Sequence, residues 1–307
     1  ASDDFNWSEI SPTIFGAVFE STLNPETRRS GGMHYTSIEN IHKVIDPLFF
    51  DELKAEFNSI LEVAVVKTKE RKLKEFQNKL ASLVFLDPAC GSGNFLTETY
   101  LSLRRLENKV IALLIGMEKG QVEGQILWGT AINPIKVSIG QFYGIEINDF
   151  AVTVAKTALW IAESQMMEET ENIVLMHLDF LPLKTNANIT EGNALRIDWE
   201  SIVPKYKLSY IMGNPPFVGA RLMEQGSVQK KEVQDIFGSI KDVQDLDYVT
   251  CWYKLAAQYI QNTKILVCFV STNSICQGSQ VPILWKVLFN DYHVHINFAY
   301  QTFKWNS

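Results

Sequence analysis

Residues 87–95 read Asp87, Pro88, Ala89, Cys90, Gly91, Ser92, Gly93, Asn94, Phe95. An apolar run, Leu83 to Leu86, precedes them and an apolar helix-like segment follows. Strand, glycine-rich turn, helix is the order that binds nucleotide-like cofactors. Gly91 and Gly93 let the backbone turn tightly and approach a ligand, and the small side chains of Ala89 and Ser92 leave room for its body. Asp87, at the strand's carboxyl end, can accept a hydrogen bond from a cationic amine or from a water bound to it. Far downstream, Asn214, Pro215, Pro216 and Phe217 follow a second apolar run, Leu208 to Met212. Tandem prolines stiffen that turn and remove competing donors. It offers a side-chain carbonyl, a backbone carbonyl and an aromatic face.

A third group of candidates ends the strand-like run Phe142–Ile147. Glu146 stands where an acidic residue accepts the two hydroxyl hydrogens of a ribose, and Ile147 could pack on an adenine ring. The distance along the chain from Gly93 to Glu146 exceeds the spacing of about 20 residues in dinucleotide folds. The surplus, around residues 104–140, reads as a longer helix plus an insertion.

These residues need a frame. Strands are predicted at Leu83–Leu86, Phe142–Ile147, Asn188–Glu191, Leu208–Gly213, Lys264–Ser271 and His293–Ala299, with helices over 94–115, 149–167, 245–262 and 280–289. Alternation of this kind gives an α/β fold, a mostly parallel sheet with helices on both faces. Residues 1–80 read as a helical segment ahead of a catalytic domain at 81–307. In it Phe15, Val18, Phe19 and Leu23 recur at helical spacing. A helix opens near Ser37, and Asp51–Leu80 forms one or two amphipathic helices.

The chain has 307 residues, of which 46% are hydrophobic and 21% charged, so a sizeable core is available. No apolar run is long enough to span a membrane, and the acidic N-terminus is not a secretory signal. Cys90, Cys251, Cys268 and Cys276 form no C-x-x-C pair, which argues against structural zinc and suits a reducing, cytoplasmic setting. The net charge of −7 argues mildly against nucleic-acid binding, although total charge is a poor guide where a binding cleft is locally basic. The cluster Lys67, Lys69, Arg71, Lys72 and Lys74 is read as a solvated helix face. The last residues, Gln301 to Ser307, show no closing helix, which suggests a piece of a longer protein.

The combination of Asp87–Phe95 with Asn214–Phe217 resembles the DNA methyltransferases that use S-adenosylmethionine (SAM) to modify adenine N6, in their gamma order of motifs. In that family the glycine loop wraps the methionine end of the cofactor. The segment from Gly16, Phe19 and Glu20 to Met33–Ser37 resembles the family's early cofactor motif, which places Tyr35 and Thr36 on the methionine carboxylate. The turn Gly192, Asn193, Ala194 would meet the cofactor's adenine, with the Asn193 carbonyl on its amino group. Asp247 and Tyr248 resemble a further cofactor-side motif. Asn214 and the Pro215 carbonyl would hold the two hydrogens of the target amine, localising its lone pair. Phe217 and Phe303 would stack on the flipped base, since extrusion costs a few kcal/mol and stacking returns roughly 1–3 kcal/mol per base.

The resemblance runs from Phe15 to Trp305. The strings around Gly31–Thr36, Ile135–Asp149, Gly192–Trp199 and Phe298–Trp305 look like the methylase part of single-chain type IIG/IIL restriction–modification proteins. These join an N-terminal endonuclease, a helical connector, the methyltransferase and a C-terminal target-recognition domain, and act on double-stranded DNA. No nuclease constellation is evident here; Asp51-Glu52-Leu53-Lys54 reads as a solvated helix face. Methyltransferases of the release-factor glutamine amide share Asn-Pro-Pro, usually followed by Tyr, and an RNA adenine is a further alternative substrate.

Overall fold

The computed structural model describes residues 11–12, 15–16, 36–119, 133–178 and 186–302. The Ser37 side chain accepts the Asn40 N–H, opening helix α1 (Ile38–Ile45). A π-type turn at Asp46–Phe50 leads into α2 (Asp51–Leu61), and α3 (Val66–Ser82) follows. Their apolar stripes bury Ile41, Phe49, Leu53, Phe57, Leu73, Phe76 and Leu80 in one core with Phe85, Leu96 and Phe142 of the sheet domain. The opposite face of α3 is solvated. There Arg71 pairs with Glu75 and Lys74 with Glu70, both at 2.6 Å, and exposed pairs of this kind stabilise little. The carboxylate of Asp51 likewise pairs with Lys54 at 2.7 Å on the surface of α2.

The sheet has five parallel strands in the order β3-β2-β1-β4-β5. They are β1 (Phe85–Asp87), β2 (Phe142–Glu146), β3 (Asn188–Glu191), β4 (Tyr210–Gly213) and β5 (Leu266–Phe269). Helices α4 (Asn94–Lys119), α5 (Asp149–Val174), α6 (Trp199–Ile202), α7 (Val228–Phe237), α8 (Thr250–Tyr259) and α9 (Val281–Lys286) connect or follow them. Two separate apolar clusters cover the two faces of the sheet. From β1 the chain runs first to β2 on one side, and later enters β4 on the other. The crevice at this switch point, outside the strands' carboxyl ends, is where ligands bind in such sheets.

Strand register is set by stacked rings at the opposite, amino ends of β1, β2 and β4. Phe85 lies opposite Phe142 and Tyr210, with ring centroids 5.1 and 5.5 Å away. Phe49, from the turn after α1, closes on Tyr210 at 4.9 Å. A one-residue slip would turn these rings to the other face. The stack therefore holds the ends of β1, β2 and β4 level. A buried polar cluster anchors the return from the insertion: Glu107 of α4 accepts N–H groups of Lys136 and Val137 and the Gln77 amide, and pairs with buried Arg104.

Several boundaries differ from the sequence reading. Helix α4 continues to Lys119 and α5 to Val174, where Leu175 turns left-handed. Short α6 and the ten-residue α7 were not foreseen. The expected strand His293–Ala299 is absent: these residues form no regular element, His293 is left-handed with φ of +51°, and Ile296 is 54% exposed. Its alternating pattern is real, but a strand needs a neighbour to hydrogen-bond, and nothing described supplies one. No helix among the described residues is long and apolar enough to cross a membrane.

Candidate active site

Three strand ends converge. Asp87 closes β1, Glu146 closes β2, and Asn214 follows β4 directly. The Asp87 carboxyl is buried, accepts the Ala89 N–H at 3.0 Å and lies against Gly213. A Cβ at Gly213 would fall 2.9 Å from Asp87 Cγ, so this position tolerates no side chain. Burial pushes the Asp87 carboxyl up to about 8, and the negative Glu146 adds to the rise against the Ala89 hydrogen bond. An ammonium placed beside the group would favour its ionised form, the proton leaving to solvent.

The glycine loop is fastened on both sides. Cys90 N–H donates to Ile145 O and Gly93 N–H to Cys90 O. Gly91 and Gly93 have φ of +53° and +83°, the left-handed region that glycine adopts without strain. A Cβ at Gly93 would also press on Ala155 of α5 at 3.0 Å. Glu146 accepts Gly91 N–H through Oε2 and Asn148 N–H through Oε1, each at 2.9 Å. A carboxylate oxygen can accept more than one hydrogen bond, so these contacts are compatible with a ribose hydroxyl at the same group. Ile147 is 62% exposed just beyond, as a ring-packing residue requires. Burial holds the Cys90 thiol well above its usual range, so it is no nucleophile.

Asn94 Oδ1 is buried with no hydrogen-bond partner, and Gly16 lies against it: a Cβ there would be 3.0 Å from that oxygen. The Phe95 side chain is core, so only its backbone faces the loop. The Pro88 carbonyl accepts the indole N–H of buried Trp252 at 3.1 Å, tying α8 to the loop.

At the end of β4, Asn214 donates from Nδ2 to Thr36 Oγ1 at 3.4 Å, while its Oδ1 is buried without a partner. A buried carbonyl oxygen left unsatisfied is rare and marks the place of an incoming donor. Pro215 is buried; Pro216 and Phe217 are half-buried. The turn is braced from behind by Asp247, which accepts Ala220 N–H, the Ser274 hydroxyl and the Gln280 amide. That places Asp247 as a brace of the Asn-Pro-Pro-Phe loop.

Asn193 sits beside Glu146, since Gly192 N–H donates to Glu146 O at 2.8 Å. Its carbonyl accepts Leu195 N–H and its amide donates to Glu232. Ala194 is buried and its carbonyl takes the Trp199 indole N–H. Tyr35 and Phe303 lie outside the described residues, as do Phe19, Glu20, Met33 and His34. Glu232 and Trp252 were not found from sequence, because neither belongs to a local motif. The acceptors present fit SAM: a carboxyl for an amine, a carboxylate for a ribose, a glycine cradle, and the unpartnered oxygen of Asn94, with that of Asn214 beside them. Among the described residues no cluster of His, Cys, Asp and Glu could hold a metal ion.

The MmeI DNA-methyltransferase domain family matches residues 63–307. A protein of Bacillus subtilis (strain 168) named DNA methyltransferase A is 42% identical over 303 residues, which cover 98% of this chain and 32% of that protein. A putative type II restriction enzyme and methyltransferase of Methanocaldococcus jannaschii is 27% identical, over 67% of this chain and 18% of its own length. Among solved structures, the type IIL restriction–modification enzyme MmeI in complex with DNA aligns with a TM-score of 0.86 and 42% identity, over 99% of this chain and 38% of that one. The chain therefore spans less than two fifths of the length of each of these relatives.

Proposed function

This chain belongs to the MmeI DNA-methyltransferase domain family, and on that footing we propose that it moves a methyl group from SAM to N6 of an adenine flipped out of double-stranded DNA, within a restriction–modification protein. The observation that carries the reading is the buried, unpartnered Oδ1 of Asn214 at the switch-point crevice. When bound, SAM supplies an electrophilic methyl group on a sulfonium.

The residues of this chain do the rest. Asp87 and Glu146 hold the amine and the ribose, fixing the methyl donor against the end of β4. The exocyclic amine of adenine is a poor nucleophile, because its lone pair is delocalised into the ring. Asn214 Oδ1 and the Pro215 carbonyl accept its two hydrogens and draw the nitrogen toward tetrahedral geometry. The rigid Pro-Pro turn keeps both acceptors in place before reaction, so little reorganisation is needed. Phe217 offers a face to the extruded base. The proton leaves the nitrogen after transfer, and no general base beside it is required.

The test is nucleoside mass spectrometry for N6-methyladenine. The DNA is taken from a methylation-deficient bacterium expressing the complete gene, with an Asn214→Ala control. Signal in the parent and none in the control is expected. Absence from both, with soluble SAM-binding protein, would move the assignment to a glutamine amide or RNA substrate.

A further inference from the structure

Glu232, on α7, is almost wholly buried, at 3% exposure. It gathers three donors from two parts of the fold, the turn after β3 and the segment before α8. Its Oε1 accepts the Asn193 amide at 2.7 Å and Arg196 Nε at 2.9 Å, and its Oε2 accepts the Tyr248 hydroxyl at 2.6 Å. Tyr248 in turn stands edge-on to Trp252, with centroids 5.2 Å apart, and Trp252 holds the Pro88 carbonyl of the glycine loop. We propose that Glu232 is a positioning residue for cofactor selection: it forces Asn193 to present a carbonyl, and so makes the site prefer a 6-amino purine over a 6-oxo purine.

The argument is one of donor and acceptor inventory. A side-chain amide has one accepting and one donating end, and the two ends look alike in shape. Which end faces the ligand is decided by its other neighbours. An ionised carboxylate accepts only, so the Asn193 NH2 must turn to Glu232. The carbonyl is thereby turned the other way, where Leu195 N–H occupies one lone pair and the second remains for an outside donor. Adenine offers a donor at its 6-position; hypoxanthine offers an acceptor there and would meet the carbonyl with repulsion. Arg196 and Tyr248 keep the carboxylate in place, and the Tyr248 phenol is held protonated, its ionisation pushed up by burial and by Glu232.

This rests on the reading above that Asn193 faces the cofactor's adenine. The experiment measures binding of S-adenosylhomocysteine and S-inosylhomocysteine by calorimetry, in the wild type and in Glu232→Gln, Glu232→Asp and Asn193→Ala. Gln can turn either end to Asn193, and Asp withdraws the oxygens by one methylene. The wild type should prefer the adenine compound. The preference should narrow by about five-fold in both Glu232 variants, the size of one neutral hydrogen bond, and at least as much in Asn193→Ala. A ratio unchanged in a folded Glu232 variant, or in Asn193→Ala, overturns the inference. No binding of S-adenosylhomocysteine to the wild type overturns the cofactor reading itself. A loss of affinity equal for both compounds would assign Glu232 a merely structural role.

Discussion

The hydroxyl of Thr36 and the amide of Asn214 meet at 3.4 Å, although 178 residues separate them. Thr36 is the last residue before the cap of α1, where the methionine carboxylate of SAM is proposed to lie. Asn214 carries the carbonyl proposed to hold the target amine. A hydroxyl has one proton. If Thr36 donates it to the carboxylate, it can only accept from Asn214, and the Asn214 carbonyl is then turned into the crevice. On the proposed function, cofactor binding and catalytic alignment would share this one oxygen.

Thr36→Val should lower the single-turnover methylation rate at saturating SAM by roughly five- to ten-fold, the worth of one orienting hydrogen bond. Thr36→Ser should restore it. Equal rates in the Val and wild-type proteins would remove Thr36 from the alignment of Asn214.

Glu146 accepts two backbone N–H groups already and is assigned two ribose hydroxyls besides. Glu146→Ala should weaken SAM binding by one or two charge-assisted hydrogen bonds, about 1.5–3 kcal/mol each. Calorimetric titration reads this directly, and unchanged affinity would take Glu146 out of the site.

Gly213→Ala should be harmful out of proportion to one methyl group. The new Cβ runs into the Asp87 carboxyl, and strained insertions of this kind cost about 1–3 kcal/mol. A lower melting temperature together with lost SAM binding is expected. Wild-type values for both would mean that β1 and β4 are free to part.

Asp87 makes stability and cofactor binding depend on pH. Its folded-state value, about 8, lies above the ordinary 3.8. Between those values the unfolded chain releases the proton while the folded protein keeps it, so stability of the cofactor-free protein falls as pH rises from about 4 to about 8. The contribution is fully present only below the unfolded value. Denaturant titrations across that range should show the slope, and Asp87→Asn should flatten it. An ammonium arriving beside the carboxyl favours the ionised form. SAM binding near pH 7 should therefore release up to about one proton, seen as a buffer-dependent binding enthalpy that Asp87→Asn abolishes.

What could be read along the chain was local. The order of strand, glycine turn and helix at Asp87–Phe95, the acid closing β2 and the Asn-Pro-Pro-Phe turn after β4 are each contiguous, and their residue types dictate their backbone. Tertiary structure decided what those pieces meet. Alternation at His293–Ala299 did not make a strand, because pairing requires a neighbour that a pattern cannot provide. Asn193 was legible as a turn residue, yet the direction of its amide was not, since that depends on Glu232 from a helix the pattern did not reveal. A buried acid on a helix looks the same in sequence as a solvated one; only the donors brought to it by folding, here Asn193, Arg196 and Tyr248, tell them apart. The link from Thr36 to Asn214 is of the same kind: each residue was a candidate alone, and it took the packing of α1 beside the carboxyl end of β4 to place one within reach of the other.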